Sequence, residues 1–146
     1  MADPYDLDRF VQAQAANYGD ALSELRAGRK QTQWSWYVFP QVRGLGSSAM
    51  SRRYAIGSLA EAVAYLEHPI LGPRLRESVA ALNGHRGIGI EHVLGHIDAL
   101  KFRSCLTLFA QAAPGEPLFA EALNQHFGGQ PDAATLAILA RPRSAT

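Results

Sequence analysis

Apolar residues recur along most of this chain at spacings of three and four, the repeat of one face of an α-helix. Leu7, Phe10, Val11 and Tyr18 follow it, with Gln14 at the centre of their face. They predict a first helix over 6–17, with Asp6 as its N-cap. A short second helix is expected over 20–27, stopped by Gly28. Residues 47–56 read as another helix closed by Gly57. Ser58 and Glu61 form a capping box that opens a helix through Leu66. Pro69 suits the first turn of the next helix, which ends near Asn83 and Gly84; Pro73 either kinks it or splits its start. The run GHRGIGIEH reads as a glycine-rich connector. Three further helices are predicted: 96–112, stopping before Pro114; 116–127, ending at Gly128 and Gly129; and 133–140, capped by Asp132. The tail RPRSAT, 141–146, is expected to be loose. No internal repeat or linker interrupts the pattern, so residues 1–146 read as a single all-α domain. The 96–112 helix is expected to be central, because its apolar half is wider than the stripe of a surface helix.

The helical repeat fails between 33 and 46, where the sequence reads QWSWYVFPQVRGLG. Both tryptophans, one tyrosine and one phenylalanine fall between Trp34 and Phe39. Pro40 ends regular hydrogen bonding, and Gly44 and Gly46 allow turns or close approach of another group. The segment reads as a loop; its Trp-Tyr-Val-Phe core also suits a short strand, although no second strand is evident. From Leu25 to Ala60 there is no Asp or Glu, whereas Arg26, Arg29, Lys30, Arg43, Arg52 and Arg53 lie there. An aromatic, glycine-bearing, purely basic segment suits a flat, negatively charged ligand. Equally, Trp34, Trp36 and Phe39 can plug the core while the arginines face water.

Composition narrows the class. The 146 residues are 47% hydrophobic and 18% charged, which is a globular balance. A net charge of +1 supplies no global field for nucleic acid or for a membrane surface. A lone cysteine, Cys105, permits no internal disulfide. The acidic N-terminus has no apolar core of a secretory signal, and no run of roughly 18 apolar residues marks a membrane span. These features imply a cytoplasmic protein, with no oligomeric state specified.

Polar residues on apolar helix faces are the next signal. At about 100° per residue, Ile97, Phe102, Cys105, Leu106, Leu108 and Phe109 share one broad half of the 96–112 helix, and Arg103, Ser104, Thr107 and Gln111 the other. Asp98 and Lys101 fall among the apolar residues, three apart, so they can meet. A charged pair there is either a structural ion pair or part of a site. Gln14 poses the same choice, since a buried amide needs partners for its donors and its acceptor. Other motifs are weak. His92 and His96 flank Gly95 without the glutamate of a zinc-peptidase helix, and Gly87-Ile88-Gly89 is too short for a dinucleotide fingerprint. The sequence therefore implies no metal and no cofactor.

The stretches RFVQAQ, WSWYVFPQVRGLGSSA, YAIGSLAEAVAYLEHPILGPRLRE and DALKFRSCLTLFAQA resemble the bacterial domain-of-unknown-function family numbered eighteen-ten over nearly the whole chain. That resemblance implies a mainly α-helical fold. Gln14, Lys30, Trp34, Trp36, Phe39, Pro40, Gln41, Gly44, Leu45, Gly46, Asp98, Lys101 and Ser104 match its pattern. Gln33 stands where a histidine is common, and Cys105 where a second serine is usual. Some members carry the label calpastatin, but that inhibitor is long, disordered and repeat-built, unlike this chain. A fainter similarity, carried by Phe10–Gln14 and Ala99–Phe102, is to the NADAR-type N-glycosidases; their Glu-His and Arg-x-Asp-Trp elements are absent here.

Two functions are expected from these residues. In the first, a small phosphate-bearing, nucleotide-like ligand of the ADP-ribose type is held by Gln14, Lys30, Trp34, Trp36, Gln41, Arg43, Gly44 and Ser104. A tryptophan would stack on the base, and Lys30 and Arg43 would neutralise phosphate beside backbone donors. If chemistry follows, Asp98 and Lys101 are the catalytic candidates for N-glycosidic hydrolysis, whose oxocarbenium-like transition state suits a carboxylate. In the second, the aromatic loop is the hot spot of a protein-interaction module.

Overall fold

The computed structural model describes residues 3–141, and among these it forms nine helices. They are α1 (Asp8–Ala27), α2 (Ser35–Val38), α3 (Ala49–Arg53), α4 (Leu59–Glu67), α5 (Leu71–Asn83), α6 (Ile90–Leu94), α7 (His96–Ala112), α8 (Pro117–Phe127) and α9 (Ala133–Leu139). The domain is all-α, as the periodicity requires. Beyond Arg141 the expected loose tail lies outside the described residues.

The two helices expected before Gly28 are one. Phe10, Gln14, Ala21 and Leu25 are all buried along α1, so a continuous inward face carries the helix through Gly19. That tertiary gain outweighs the roughly 1 kcal/mol that a glycine costs inside a helix. Asp6 does not cap α1: it takes a positive φ of 51°, and the Asp3 carboxylate accepts from Leu7 N and Asp8 N instead. The capping box of α4 forms, with Ser58 Oγ accepting from Glu61 N at 3.1 Å and Glu61 accepting from Gly57 N at 3.0 Å. Pro69 lies just before α5 rather than inside it. The α4–α5 corner is closed by His68, whose Nδ1 accepts from Ile70 N and Leu71 N, and Pro73 sits in the first turn without breaking it. Gly72 is required at this corner, since a Cβ there would lie 2.1 Å from Leu66 O. The glycine-rich connector contains the short helix α6.

Helix α7 is the central element. It packs against α4 and α8, with α6 just before it and α9 against its middle turns, while α5 joins α8 to α1. From Ser104 to Phe109 every residue is buried. The face that reads as polar is covered as well, because the turn before α9 docks on it. Ser104 Oγ donates to Asp132 Oδ2 at 3.0 Å, Thr107 Oγ1 accepts from Asp132 N at 2.8 Å, and Arg103 Nε donates to Gln130 O at 2.8 Å. Ile97 departs from the expectation in the opposite sense: it is 68% exposed, because α7 leaves the core in its first turn.

Asp132 thus serves two helices at once, capping α9 through Thr135 N at 3.1 Å. Asp132→Ala is expected to cost about 1–2 kcal/mol, the upper part of the range for a lost N-cap. Urea unfolding of the variant against the wild-type protein measures it; an unchanged midpoint would show that the α7–α9 contact needs no such link.

Candidate functional site

The site begins at the end of α1. Gly28 takes the left-handed conformation, and Gly28 N and Arg29 N close the helix onto Leu25 O and Glu24 O. The chain then reverses, and Lys30 N donates to Val93 O of α6 at 2.9 Å. The Glu24 side chain fixes the reversed segment. Its two oxygens accept from Gln31 N at 2.7 Å, Thr32 N at 2.9 Å, Thr32 Oγ1 at 2.6 Å and the Trp34 indole N–H at 3.0 Å. Partial burial pushes this carboxyl up, but these four donors, led by Thr32, outweigh it and hold it at about 2 against an ordinary 4.5. Glu24 had no place among the expected site residues. The one sign of it is its position, the last acid before the acid-free stretch.

Beyond Glu24 lies a row of charges and rings. Trp34 is fully buried, and the Lys30 ammonium sits 5.0 Å from the centre of its ring. The same ammonium is 2.8 Å from Asp98 Oδ2 in the first turn of α7. Asp98 Oδ1 is 3.5 Å from the Lys101 ammonium, which lies 4.5 Å from the centre of the Trp36 ring. The side chains of Lys30, Asp98 and Lys101 are only 5%, 14% and 20% exposed. A carboxylate so far from water needs partners, and here two ammonium groups provide them, each also resting on an aromatic face. Asp98 and Lys101 border a shallow, open depression with Gln33, Leu94 and Gly95.

Trp36 also lines a small hollow formed by the chain. Arg43 N donates to Ile56 O and Ile56 N to Gln41 O, both at 2.8 Å, giving a single parallel bridge between Val42 and Ile56. The Trp-Tyr-Val-Phe core, read as loop or as a short strand, forms the one-turn helix α2 instead. Gly44 has φ 104°, open to glycine at little cost, and a Cβ on Gly46 would lie 2.5 Å from Ser51 Oγ. Both glycines therefore let residues 43–55 fold back on themselves. Trp36 and Tyr54 wall the hollow, and Gln41, Arg43, Ser51 and Arg52 supply its polar groups. Its cavity volume is about 30 Å³.

The sequence profile of the family described as "Protein of unknown function (DUF1810)" matches residues 4–139. The chain belongs to this family. It is also similar to the conserved hypothetical protein Rv1873 from Mycobacterium tuberculosis, known from a crystal structure. The two are 50% identical; the match covers 96% of this chain and 100% of that one, with a TM-score of 0.94. No curated protein matches, and the fainter likeness to N-glycosidases is not among the matches.

In this DUF1810 chain the expected site residues divide into three groups. Trp36, Gln41, Arg43 and Gly44 meet at the hollow. Lys30, Asp98 and Lys101 meet in the charged row behind it. Gln14, Trp34 and Ser104 are placed by the fold for packing. Gln14 Nε2 donates to Tyr37 O at 2.7 Å and to Tyr65 OH at 3.2 Å, and Arg74 donates to its carbonyl oxygen at 3.4 Å. All of its polar atoms are thereby occupied in the interior. Trp34 presents no face to a ligand, and Ser104 serves the α7–α9 contact. One further ion pair has no sign in the local pattern: Arg9 bonds Glu61 at 2.8 Å and also Arg53 O and Ala55 O, tying α1 to the rim of the hollow. His92 and His96 are separated by Gly95, and His96 bonds Glu91 instead. Among the described residues no group of His, Cys, Asp and Glu is arranged to hold a metal, and no helix is long and apolar enough to cross a membrane.

Because Glu24 titrates lower in the folded protein than its ordinary 4.5, its contribution is fully present above that pH and is lost as pH falls toward about 2. Glu24→Gln replaces an acceptor by a donor facing Thr32 and is expected to cost about 1–3 kcal/mol near neutrality. Urea midpoints of the two proteins should converge as pH drops through this window. Parallel curves at every pH would rule out the charge of Glu24 as the cause.

Proposed function

We propose that this protein binds a small phosphate-bearing, nucleotide-like ligand, with the phosphate seated in the hollow between Gln41–Gly46 and Ser51–Ala55. The observation that carries this reading is the charge of the lining: its two charged residues, Arg43 and Arg52, are both basic, and Glu61 borders Arg43 only from the neighbouring depression. A cavity of about 30 Å³ is room for a few waters, since each needs about 10–15 Å³ of such space. That is close to the size of one phosphate group. The rest of the ligand lies outside, against the half-buried ring of Trp36. The amides of Gly44, Leu45 and Gly46 make no backbone hydrogen bond among the described residues, which leaves them to donate to phosphate oxygens.

Binding has more support here than hydrolysis. Asp98 is engaged by two ammonium groups and borders the neighbouring depression rather than the hollow. N-glycosidic cleavage would need the ligand to reach past Trp36 to that carboxylate. Burial of Trp34 removes it both as a stacking ring for a ligand and as an anchor for a partner, leaving Trp36 as the tryptophan either reading can use.

Titration of AMP, ADP-ribose and ribose 5-phosphate against tryptophan fluorescence tests the proposal. At least one ligand should quench, less so at high salt, because exposed charge attraction is screened over about 8–10 Å. Arg43→Ala should weaken binding by about 1.5–3 kcal/mol, as for a lost charged hydrogen bond. Indifference to every phosphate-bearing ligand, or quenching insensitive to both salt and the substitution, would leave the arginines as a solvated face.

A further inference from the structure

The two tryptophans are fixed by different means. Trp34 is enclosed by the core, and its indole N–H is held by Glu24. Trp36 is half-buried, and its indole N–H has no protein partner among the described residues. The polar group laid on its face is the Lys101 ammonium, 4.5 Å from the ring centre. Lys101 is not free to wander. Asp98 holds it at 3.5 Å, and Asp98 is itself held at 2.8 Å by Lys30, whose backbone is tied to α6. The row thus runs from a fixed point, Lys30 on the buried Trp34, through a carboxylate, to a cation pressed on Trp36, which walls the hollow together with Tyr54.

We propose that Lys101 is a positioning residue for Trp36: anchored by Asp98, it sets the orientation of the indole that forms the wall of the hollow. A lysine side chain has several rotatable bonds, and its attraction to a ring face falls away when the ammonium moves off it. Asp98 removes that freedom. The arrangement explains why a carboxylate bridging two lysines is kept at the start of α7, although it neither lines the hollow nor reaches its arginines. Fixing the ring beforehand lowers what a ligand must order when it binds. A ligand with a base resting on Trp36 would feel the loss of Lys101, whereas bare phosphate among the arginines would not. This second consequence rests on the proposed ligand; the control of the ring by Lys101 does not.

Protein labelled with 5-fluorotryptophan gives one fluorine resonance for each of Trp34 and Trp36, assigned with Trp36→Phe. In Lys101→Met the Trp36 resonance should shift and broaden while that of Trp34 stays in place, and Lys101→Arg should restore it. In titrations, Lys101→Met should weaken AMP binding fivefold or more, leave inorganic phosphate unchanged, and be rescued by Lys101→Arg. An unmoved Trp36 resonance in Lys101→Met overturns the proposal whether or not any ligand binds. So does an equal shift of both resonances, which marks a general loosening of the fold. A Trp36 resonance that responds in a wild-type background binding neither AMP nor phosphate supports the control of the ring and removes the ligand reading instead.

Discussion

A helix buried along both faces has only its ends left for polar chemistry, and α7 is such a helix. Between Ser104 and Phe109 nothing reaches solvent, because α4 and α8 flank the helix and the turn before α9 covers the remaining side. Charged side chains are confined to its first turns, where Asp98 and Lys101 emerge beside the aromatic segment. The geometry of the candidate site comes from that confinement. Lys30 and Trp36 meet α7 at the place where the helix leaves the core, and Trp36 also lines the hollow.

The acid-free stretch is organised by acids that come from outside it. Glu24, just before it, gathers backbone amides, a hydroxyl and an indole rather than arginines. Glu61, just after it, is taken by Arg9 from α1. Asp98 arrives from α7 and takes Lys30. Each of the three carboxylates fixes one edge of the segment, and Arg43 and Arg52 are left as the charged residues in the lining of the hollow.

Legibility in the sequence tracks the range of the interactions involved. Helices α4, α7, α8 and α9 are readable because their limits are set locally, by Ser58, Pro114, Gly128 and Asp132. The first helix departs from its expected length at Gly19, where the buried face of α1 outweighs a local preference. At the candidate site, periodicity identifies Asp98, Lys101 and Gln14 as polar groups on apolar faces, but it does not say which distant element satisfies them. Gln14 finds Tyr37 and Tyr65 in the interior, whereas Asp98 finds Lys30 across the domain. Ser104 and Thr107 look solvent-facing, since a helical wheel does not register a second partner docking on the opposite side. Glu24 is silent because half of its partners are backbone amides, which carry no mark in the sequence, and the rest are a hydroxyl and an indole with no charge to pair with it.

The bridge between Val42 and Ile56 joins the ends of residues 43–55 by only two hydrogen bonds. The segment is in effect a clasp, held besides by the Arg9 side chain of α1, which donates to Arg53 O and Ala55 O. Loop closure of this length is entropically cheap to reverse, and partial openings of this kind lie far below the free energy of global unfolding. The amides of Arg43 and Ile56 should therefore exchange with solvent long before those in the middle of α7. The wall of the hollow thus depends on a feature too small to count as a strand.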